Sequence, residues 1–156
     1  MTDSEPFDLV LFCDASTRAY GFVCYALQNG TSSFVFSKCK VAPLKHKTLP
    51  TLELLSVFIG YKALENLLHT FKKCVVKSVT FAIDAQVVLS WLLEDNLKTK
   101  NLFALNRVKD INKMKTELSN KYNVPINYHF VPTSQNPADM LTRGLSFDKF
   151  EQNFDT

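Results

Sequence analysis

Three apolar stretches follow one another at the start of this chain, and they constrain the fold more than any other feature. They run from Phe7 to Cys13, from Tyr20 to Leu27 and from Ser33 to Cys39. Their lengths and their content of Val, Phe and Tyr are typical of β-strands. The links between them are short, and the second contains Asn29-Gly30, a strong signal for a hairpin turn. The sequence therefore predicts an antiparallel meander of three strands.

The rest of the chain alternates between helical and extended patterns. From Pro50 to Phe71, apolar residues recur at helical spacing, and proline suits the first turn of a helix. The later patterns predict in order a strand, a short helix, a longer helix, a strand and a last short helix: Ser78 to Ile83, Gln86 to Leu93, Leu102 to Leu118, Pro125 to Val131 and a segment from Ala138. This order implies an α/β fold with a mixed five-stranded sheet, antiparallel on one side and parallel on the other.

The composition is that of an ordinary globular domain. With 156 residues, 46% of them apolar and 21% charged, the chain is long enough for one core and is not typical of disorder. We expect one domain over residues 7–145, with tails at 1–6 and 146–156. Thirteen Phe against one Trp predict a core rich in phenylalanine. The net charge of +3 is too small to establish a nucleic-acid partner by itself.

The four cysteines, at positions 13, 24, 39 and 74, form no Cys-x-x-Cys pair, which argues against a zinc knuckle. We expect reduced thiols in the core, as in a reducing compartment, with a disulfide as the alternative. The N-terminal MTDSEPFD lacks the apolar region of a signal peptide, and no apolar run approaches the ~20 residues of a membrane helix. We therefore expect a cytoplasmic protein with no membrane partner.

Four carboxylates stand at the ends of predicted elements. Asp14 and Asp84 end two strands, Glu53 lies in the first turn of the long helix, and Asp139 opens the last helix. Each has a simpler explanation on its own, as a turn residue, a helix cap or a partner of the helix dipole. Together they form a set of hard oxygen ligands of the kind that suits Mg²⁺ or Mn²⁺. Two such ions can clamp the attacking and leaving oxygens of a phosphoryl displacement.

Five segments carry a resemblance to a known family over nearly the whole chain. The chain resembles the ribonuclease H domain of retrotransposon polyproteins, most closely the BEL/Pao type. The segments are FCDASTRAYG (12–21), SKCKVAPLKHKTLPTLELL (37–55), IDAQVVLSWL (83–92), FALNRVKDI (103–111) and HFVPTSQNPADMLTRG (129–144). The resemblance implies a ribonuclease H-like fold and hydrolysis of the RNA strand of RNA–DNA hybrids during reverse transcription. It also implies a linked or adjacent reverse transcriptase domain, and a location that includes element particles or the nucleus.

The resemblance assigns roles to the four carboxylates and implies two Mg²⁺ ions, which Mn²⁺ can replace. Asp14 matches the aspartate that bridges both ions. Glu53 and Asp84 match the pair that holds the ion on the leaving-group side. Asp139 matches the carboxylate that holds the ion delivering the water nucleophile. All four positions are filled, so the motif does not argue for a dead enzyme.

The resemblance also implies a nucleic-acid contact for Gln86, in the minor groove of the hybrid. Basic side chains on the predicted helix from Leu102 to Leu118, and just before it, form a candidate stripe for binding phosphates. A solvated helix face explains them equally well. Ser16 and Asn136 complete the predicted contacts. The basic set is Lys98, Lys100, Arg107, Lys109 and Lys113.

Three departures from the family pattern bear on function. Thr51 stands where relatives commonly have Arg, and Ala85 where they commonly have Ser. The loop PTSQN lacks the histidine of cellular relatives, and we interpret His129 on the preceding strand as structural. Two other classes stay open: a catalytically silent or co-opted module that binds nucleic acid or protein, and a 3′–5′ exonuclease or integrase-like core. The glutamate in the helix after the meander favours ribonuclease H over the second of these.

Overall fold

The computed structural model describes residues 5–45, 47–71, 75–94, 97 and 101–137. Within these residues, five strands form one sheet, accompanied by three α-helices and a short 3-10 turn at Thr133–Gln135. The elements are β1 (Phe7–Ala15), β2 (Ala19–Gln28), β3 (Thr31–Val41), α1 (Leu49–Thr70), β4 (Val76–Ile83), α2 (Gln86–Leu93), α3 (Leu102–Tyr122) and β5 (Ile126–Phe130). The short helix predicted from Ala138 lies outside the described residues.

The sheet has the mixed topology that the sequence predicts. Its strand order is β3-β2-β1-β4-β5, with antiparallel pairing on the β3-β2-β1 side and parallel pairing on the β1-β4-β5 side. In the β2–β3 turn, Asn29 and Gly30 both have positive φ, as this kind of tight hairpin requires. β1 and β4 pair in a register that sets Cys13 beside Ile83. Asp14 and Asp84 directly follow this pair, so they lie together at the carboxyl ends of β1 and β4.

The first helix begins earlier than its proline suggests. The Thr48 side chain accepts a hydrogen bond from the Thr51 backbone N–H, so Thr48 caps a helix that begins at Leu49. Glu53 is therefore the fifth helical residue. It lies beyond the first turn, whereas the sequence had led us to expect it within that turn. Since the dipole effect falls off within the first turn, it does not account for this carboxylate.

Helix α1 packs closely against the middle of the sheet, where a glycine permits the approach. A Cβ added at Gly60 would lie 3.0 Å from the ring of Phe81. The next residue, Tyr61, stacks on Phe81 with 4.3 Å between ring centroids. Its hydroxyl shares a hydrogen bond of 2.7 Å with the Tyr128 hydroxyl on β5. These contacts fix the position of the helix relative to β4 and β5.

The expectation of a phenylalanine-rich core is wrong for the described residues. Only Phe7, Phe22 and Phe81 are buried among the described phenylalanines, and most buried apolar side chains are aliphatic. Phe34 and Phe36 are exposed because they belong to β3, which lies at the edge of the sheet.

Two of the described cysteines lie in the core and one lies at the surface. Cys13 and Cys24 are buried as expected, whereas Cys39 is exposed on the edge strand, so the prediction of a core thiol is wrong there. Cys74 lies outside the described residues. Among the helices of the described part of the chain, none has the length and apolar character needed to cross a membrane.

Candidate metal centre

Three of the four predicted carboxylates converge at the carboxyl ends of the neighbouring strands β1 and β4. Asp14 is supplied by the end of β1, Asp84 by the residue after β4, and Glu53 by the second turn of α1. One ligand oxygen from each lies within 4.8 Å of the others. Asp139, the fourth predicted carboxylate, lies outside the described residues. The parallel pairing of β1 with β4 and the packing of α1 on the sheet together create this cluster.

The surroundings of the cluster disfavour negative charge. Asp14 is only 4% exposed, while Glu53 and Asp84 are half-buried. Burial, and then the nearby charge of Asp84, raises the pKa of Glu53 to about 7. Burial together with the charges of Asp14 and Asp84 raises the pKa of the Cys13 thiol well above its usual value, so that thiol stays protonated at neutral pH. A cation would offset the repulsion among these groups.

Two polar side chains, Ser56 and Asn136, support the backbone around the carboxylates. The Ser56 hydroxyl donates a hydrogen bond to the Glu53 carbonyl. The Asn136 side chain donates to the Cys13 carbonyl at 2.9 Å, across 123 residues of sequence, and it is only 2% exposed. Asn136 was predicted to contact nucleic acid, but this burial gives it a structural role next to Asp14. No local sequence pattern reveals such a bond, because its partner is remote in the chain.

Two predicted nucleic-acid contacts are at the surface. Gln86 is exposed as the first residue of α2, two positions after Asp84. Lys113 is exposed on α3, as is Lys109 one turn before it. Ala85 is the N-cap of α2 and makes no side-chain capping bond. The serine that is common at this position in relatives would be able to cap the helix with its hydroxyl. Lys98 and Lys100 lie outside the described residues.

Arg107 and Ser16 are engaged within the protein. The Arg107 guanidinium bonds Asp110 at 2.8 Å and lies 4.9 Å from the centre of the Phe58 ring. The Ser16 hydroxyl accepts hydrogen bonds from the backbone N–H groups of Arg18 and Ala19, which tightens the β1–β2 turn. Both side chains therefore have partners within the protein, and their contacts with nucleic acid stay predictions.

Two further positions differ from what the sequence suggested. Thr51 is buried, and its hydroxyl donates to the Thr48 carbonyl at 2.7 Å, so it completes the helix cap and has no surface for a phosphate. His129, which we had interpreted as structural, is exposed on β5.

A basic groove near the start of α1 was not predicted. It has a volume of about 450 Å³ and lies between the β1–β2 turn and the loop before α1. Arg18, Lys45 and Lys47 line it, together with Leu52, the neighbour of Glu53. The run of lysines before α1 was the available signal, but sequence alone does not show which surface a loop faces.

The donor set fits a hard divalent cation. The cluster offers carboxylate oxygens, with no histidine or cysteine among its members. Burial and then the nearby charge of Asp84 raise the pKa of Glu53, and a bound cation would favour its ionised form. Asp14, Glu53 and Asp84 are therefore the described residues that would hold a metal ion.

The sheet order, the three helices and the carboxylates at the ends of β1 and β4 define a ribonuclease H-like domain. The sequence profile of the Pao retrotransposon-like RNaseH-like domain matches residues 1–85, a range that includes Asp14, Glu53 and Asp84. The chain belongs to this family. No curated protein matches it by sequence.

Solved structures share the fold at low sequence identity. The N-terminal RNase H domain of rv2228c from Mycobacterium tuberculosis is 16% identical, with a TM-score of 0.65 over 88% of this chain and 98% of that one. LC11-RNase H1, a compost metagenome enzyme solved in complex with an RNA/DNA hybrid, is 16% identical with a TM-score of 0.63, over 92% and 97%. The prototype foamy virus protease-reverse transcriptase is 12% identical with a TM-score of 0.55, over 94% of this chain and 19% of that one.

Proposed function

We propose that this domain is an endoribonuclease that hydrolyses the RNA strand of RNA–DNA hybrids with two divalent cations, Mg²⁺ or Mn²⁺. The observation that carries the proposal is the approach of Asp14, Glu53 and Asp84 to within 4.8 Å in a ribonuclease H-like fold. All three residues lie within the range that the family profile matches. The complex of LC11-RNase H1 with an RNA/DNA hybrid supports the substrate class.

Each carboxylate takes the role that the family pattern gives it. Asp14 would contact both cations, Glu53 and Asp84 the one on the leaving-group side, and Asp139 the one on the nucleophile side. When bound, the cations supply charge stabilisation and an activated water. Glu53, whose pKa is about 7 without cations, would hold them as the ionised carboxylate. The bond from Asn136 to the Cys13 carbonyl holds the end of β1, and therefore Asp14, in position.

Substrate recognition would combine minor-groove and phosphate contacts. Gln86, exposed two positions after Asp84, would contact the minor groove, which displays the 2′-hydroxyls of an A-like helix. Arg18 and Lys45 in the basic groove and Lys113 on α3 would meet phosphates. We therefore expect selectivity for the hybrid, weak cleavage of duplex RNA and no cleavage of duplex DNA.

A linked or adjacent reverse transcriptase domain would act as the partner in reverse transcription. The foamy virus chain, of which this fold matches 19%, supports that arrangement. With a net charge of only +3, the isolated domain should hold its substrate weakly. A neighbouring domain bound to the same hybrid would raise its effective concentration at the site. Fusion should therefore increase activity mainly through apparent affinity.

The test is cleavage of an end-labelled RNA–DNA hybrid with Mg²⁺, with Mn²⁺ and with EDTA. Glu53→Gln should lower the rate about a hundredfold or more, because it removes a cation ligand worth several kcal/mol of charge stabilisation. The matched control is Glu65→Gln, which changes an exposed carboxylate of the same helix and should cleave at the wild-type rate.

The substrate panel adds duplex RNA, duplex DNA and single-stranded DNA. Cleavage of DNA strands at the hybrid rate would instead support a general nuclease. A wild-type protein that binds the hybrid but never cleaves it, with either cation, would identify a catalytically silent module and refute the proposal.

A further inference from the structure

A second groove lies between the edge strand β3 and helix α1, and none of the three carboxylates lines it. Its volume is about 490 Å³. Half of its lining is apolar, and the rest is basic or neutral polar. The apolar residues are Phe36, Phe58, Ile59, Ala63 and Leu67. The polar residues are Lys38, Lys40, Lys62, Asn66 and Thr70.

The charge of this β3–α1 groove has one sign. Three lysines line it, and no acidic side chain does so among the described residues. Two cations stand at the apolar floor, since Lys62 Nζ lies 5.4 Å and the Arg107 guanidinium 4.9 Å from the centre of the Phe58 ring. A partner that fills the groove must therefore bring apolar side chains for the floor and negative charge for the rim.

The backbone of β3 offers the second half of a binding site. β3 is the outermost strand of the sheet beside β2. The Ala42 N–H donates to the Arg18 carbonyl at 2.8 Å, and bonded pairs alternate along an antiparallel ladder. The backbone groups of Lys38 and Lys40 therefore face β2, whereas those of Ser37 face away from it. An edge of this kind is a template for an added strand.

Side chains on the helix-facing side of β3 specify what an added strand would carry. Phe36, Lys38 and Lys40 alternate along the strand, so they lie on the same face of the sheet. Phe36 is 43% exposed, which leaves apolar surface to cover. A neighbouring strand would place an apolar residue beside Phe36 and acidic residues two and four positions away, beside the two lysines.

We propose that the β3–α1 groove binds an extended acidic segment of a partner polypeptide, which adds to the edge of β3 with the pattern apolar-x-acidic-x-acidic. A phosphate backbone fits the lysines but not the floor, where the five apolar side chains offer no hydrogen-bond donor. This interaction is separate from catalysis and does not depend on the proposed nuclease activity.

The probe is a fluorescein-labelled peptide, ETETFTETE, which presents the pattern in either strand direction. Fluorescence anisotropy against the full chain should show saturable binding at low ionic strength, and a peptide with lysine in place of glutamate should not bind. Lys38→Glu with Lys40→Glu should weaken binding about tenfold, as expected for reversing two rim charges. The matched control, Lys77→Glu with Lys121→Glu, changes net charge equally at exposed positions outside the groove lining and should stay within about twofold.

Two further variants separate shape and backbone from charge. Asn66→Trp, at an exposed lining position, should block the groove, and Ser37→Pro should remove one outward N–H from the edge. Both should weaken peptide binding while the thermal unfolding midpoint stays close to wild type. No binding by the wild-type chain, or equal binding by the two double variants, would overturn the proposal. Loss of hybrid binding in the Lys38/Lys40 variant, without any peptide binding, would overturn it in favour of a nucleic-acid surface.

Discussion

The same three elements build both the core and the carboxylate cluster, and the two regions have opposite character. In their middle parts, β1, β4 and α1 contribute Leu11, Phe81 and Leu64, which are fully buried apolar side chains. At one end of the sheet they contribute the three carboxylates, which lie close together. Burial there, and then the nearby charge of Asp84, raises the pKa of Glu53. On each element, the packed apolar region and the charged region are thus only a few residues apart.

This contrast explains how the domain stays folded despite the repulsion among its carboxylates. Apolar burial of the kind seen in the middle region contributes about 25 cal/mol per Å². Clustered like charges at the end oppose folding, at least until a cation neutralises them. Because Asp14 and Glu53 belong to well-packed elements and Asp84 directly follows one, the packing of the core sets their spacing. Mutations in the core should therefore lower stability, whereas removing a charge from the cluster should lower cleavage without lowering stability.

The largest effect should come from Asp14→Asn, which keeps the shape of the side chain and removes its charge. Hybrid cleavage should fall by about a thousandfold or more, because Asp14 would contact both cations. In EDTA the thermal unfolding midpoint should stay equal or rise, since repulsion within the cluster is relieved. Cleavage assays and thermal unfolding of the same preparation check both halves. Cleavage at the wild-type rate would remove Asp14 from the proposed site.

In the core region, Leu64→Ala should lower the free energy of unfolding by about 2–5 kcal/mol, because it leaves a cavity beneath the sheet. Chemical denaturation gives this value. The control is Leu102→Ala on α3, where the side chain is 67% exposed and the change should stay within about 0.5 kcal/mol. If Leu64→Ala proves as mild as the control, the middle of α1 is not the stabilising region.

Asn136→Ala tests the link between the two regions. It removes the buried hydrogen bond to the Cys13 carbonyl, at a cost of about 0.5–1.5 kcal/mol. Because the end of β1 loses its anchor, Mg²⁺ affinity measured by calorimetry should fall as well. Asn120→Ala, at an exposed position on α3, is the control for both measurements. A loss of stability with unchanged Mg²⁺ affinity would show that Asn136 does not position Asp14.

The smallest effect concerns pH. Glu53 has a pKa raised to about 7 in the folded, cation-free protein, above its ordinary value of 4.5. The folded state therefore binds this proton more tightly, and its stabilising contribution is complete below pH 4.5 and lost as pH rises towards 7. Thermal unfolding in EDTA across this range should show the decline, and Glu53→Gln should flatten it. Saturating Mg²⁺ should offset the loss, since it favours the ionised carboxylate.

The sequence by itself determined most of the secondary structure and the residues at its ends. The meander, the Asn29-Gly30 turn and the mixed sheet follow from period-two and helical patterns, which report which face of an element is buried. The positions of Asp14 and Asp84 directly after apolar runs predicted that each ends a strand, where α/β sheets bind ligands. Local periodicity was sufficient for these features.

Only the tertiary structure decided which polar residues serve the cluster and which serve packing. Glu53 joins the site through the packing of α1 on the sheet, and not through a position in the first helical turn. Asn136 bonds a carbonyl 123 residues away, and Arg107 is held by Phe58 on another helix. Phe34 and Phe36 are exposed because β3 has a neighbour on one side only. Each outcome depends on a partner distant in sequence, and hydrophobic periodicity carries no information about such partners.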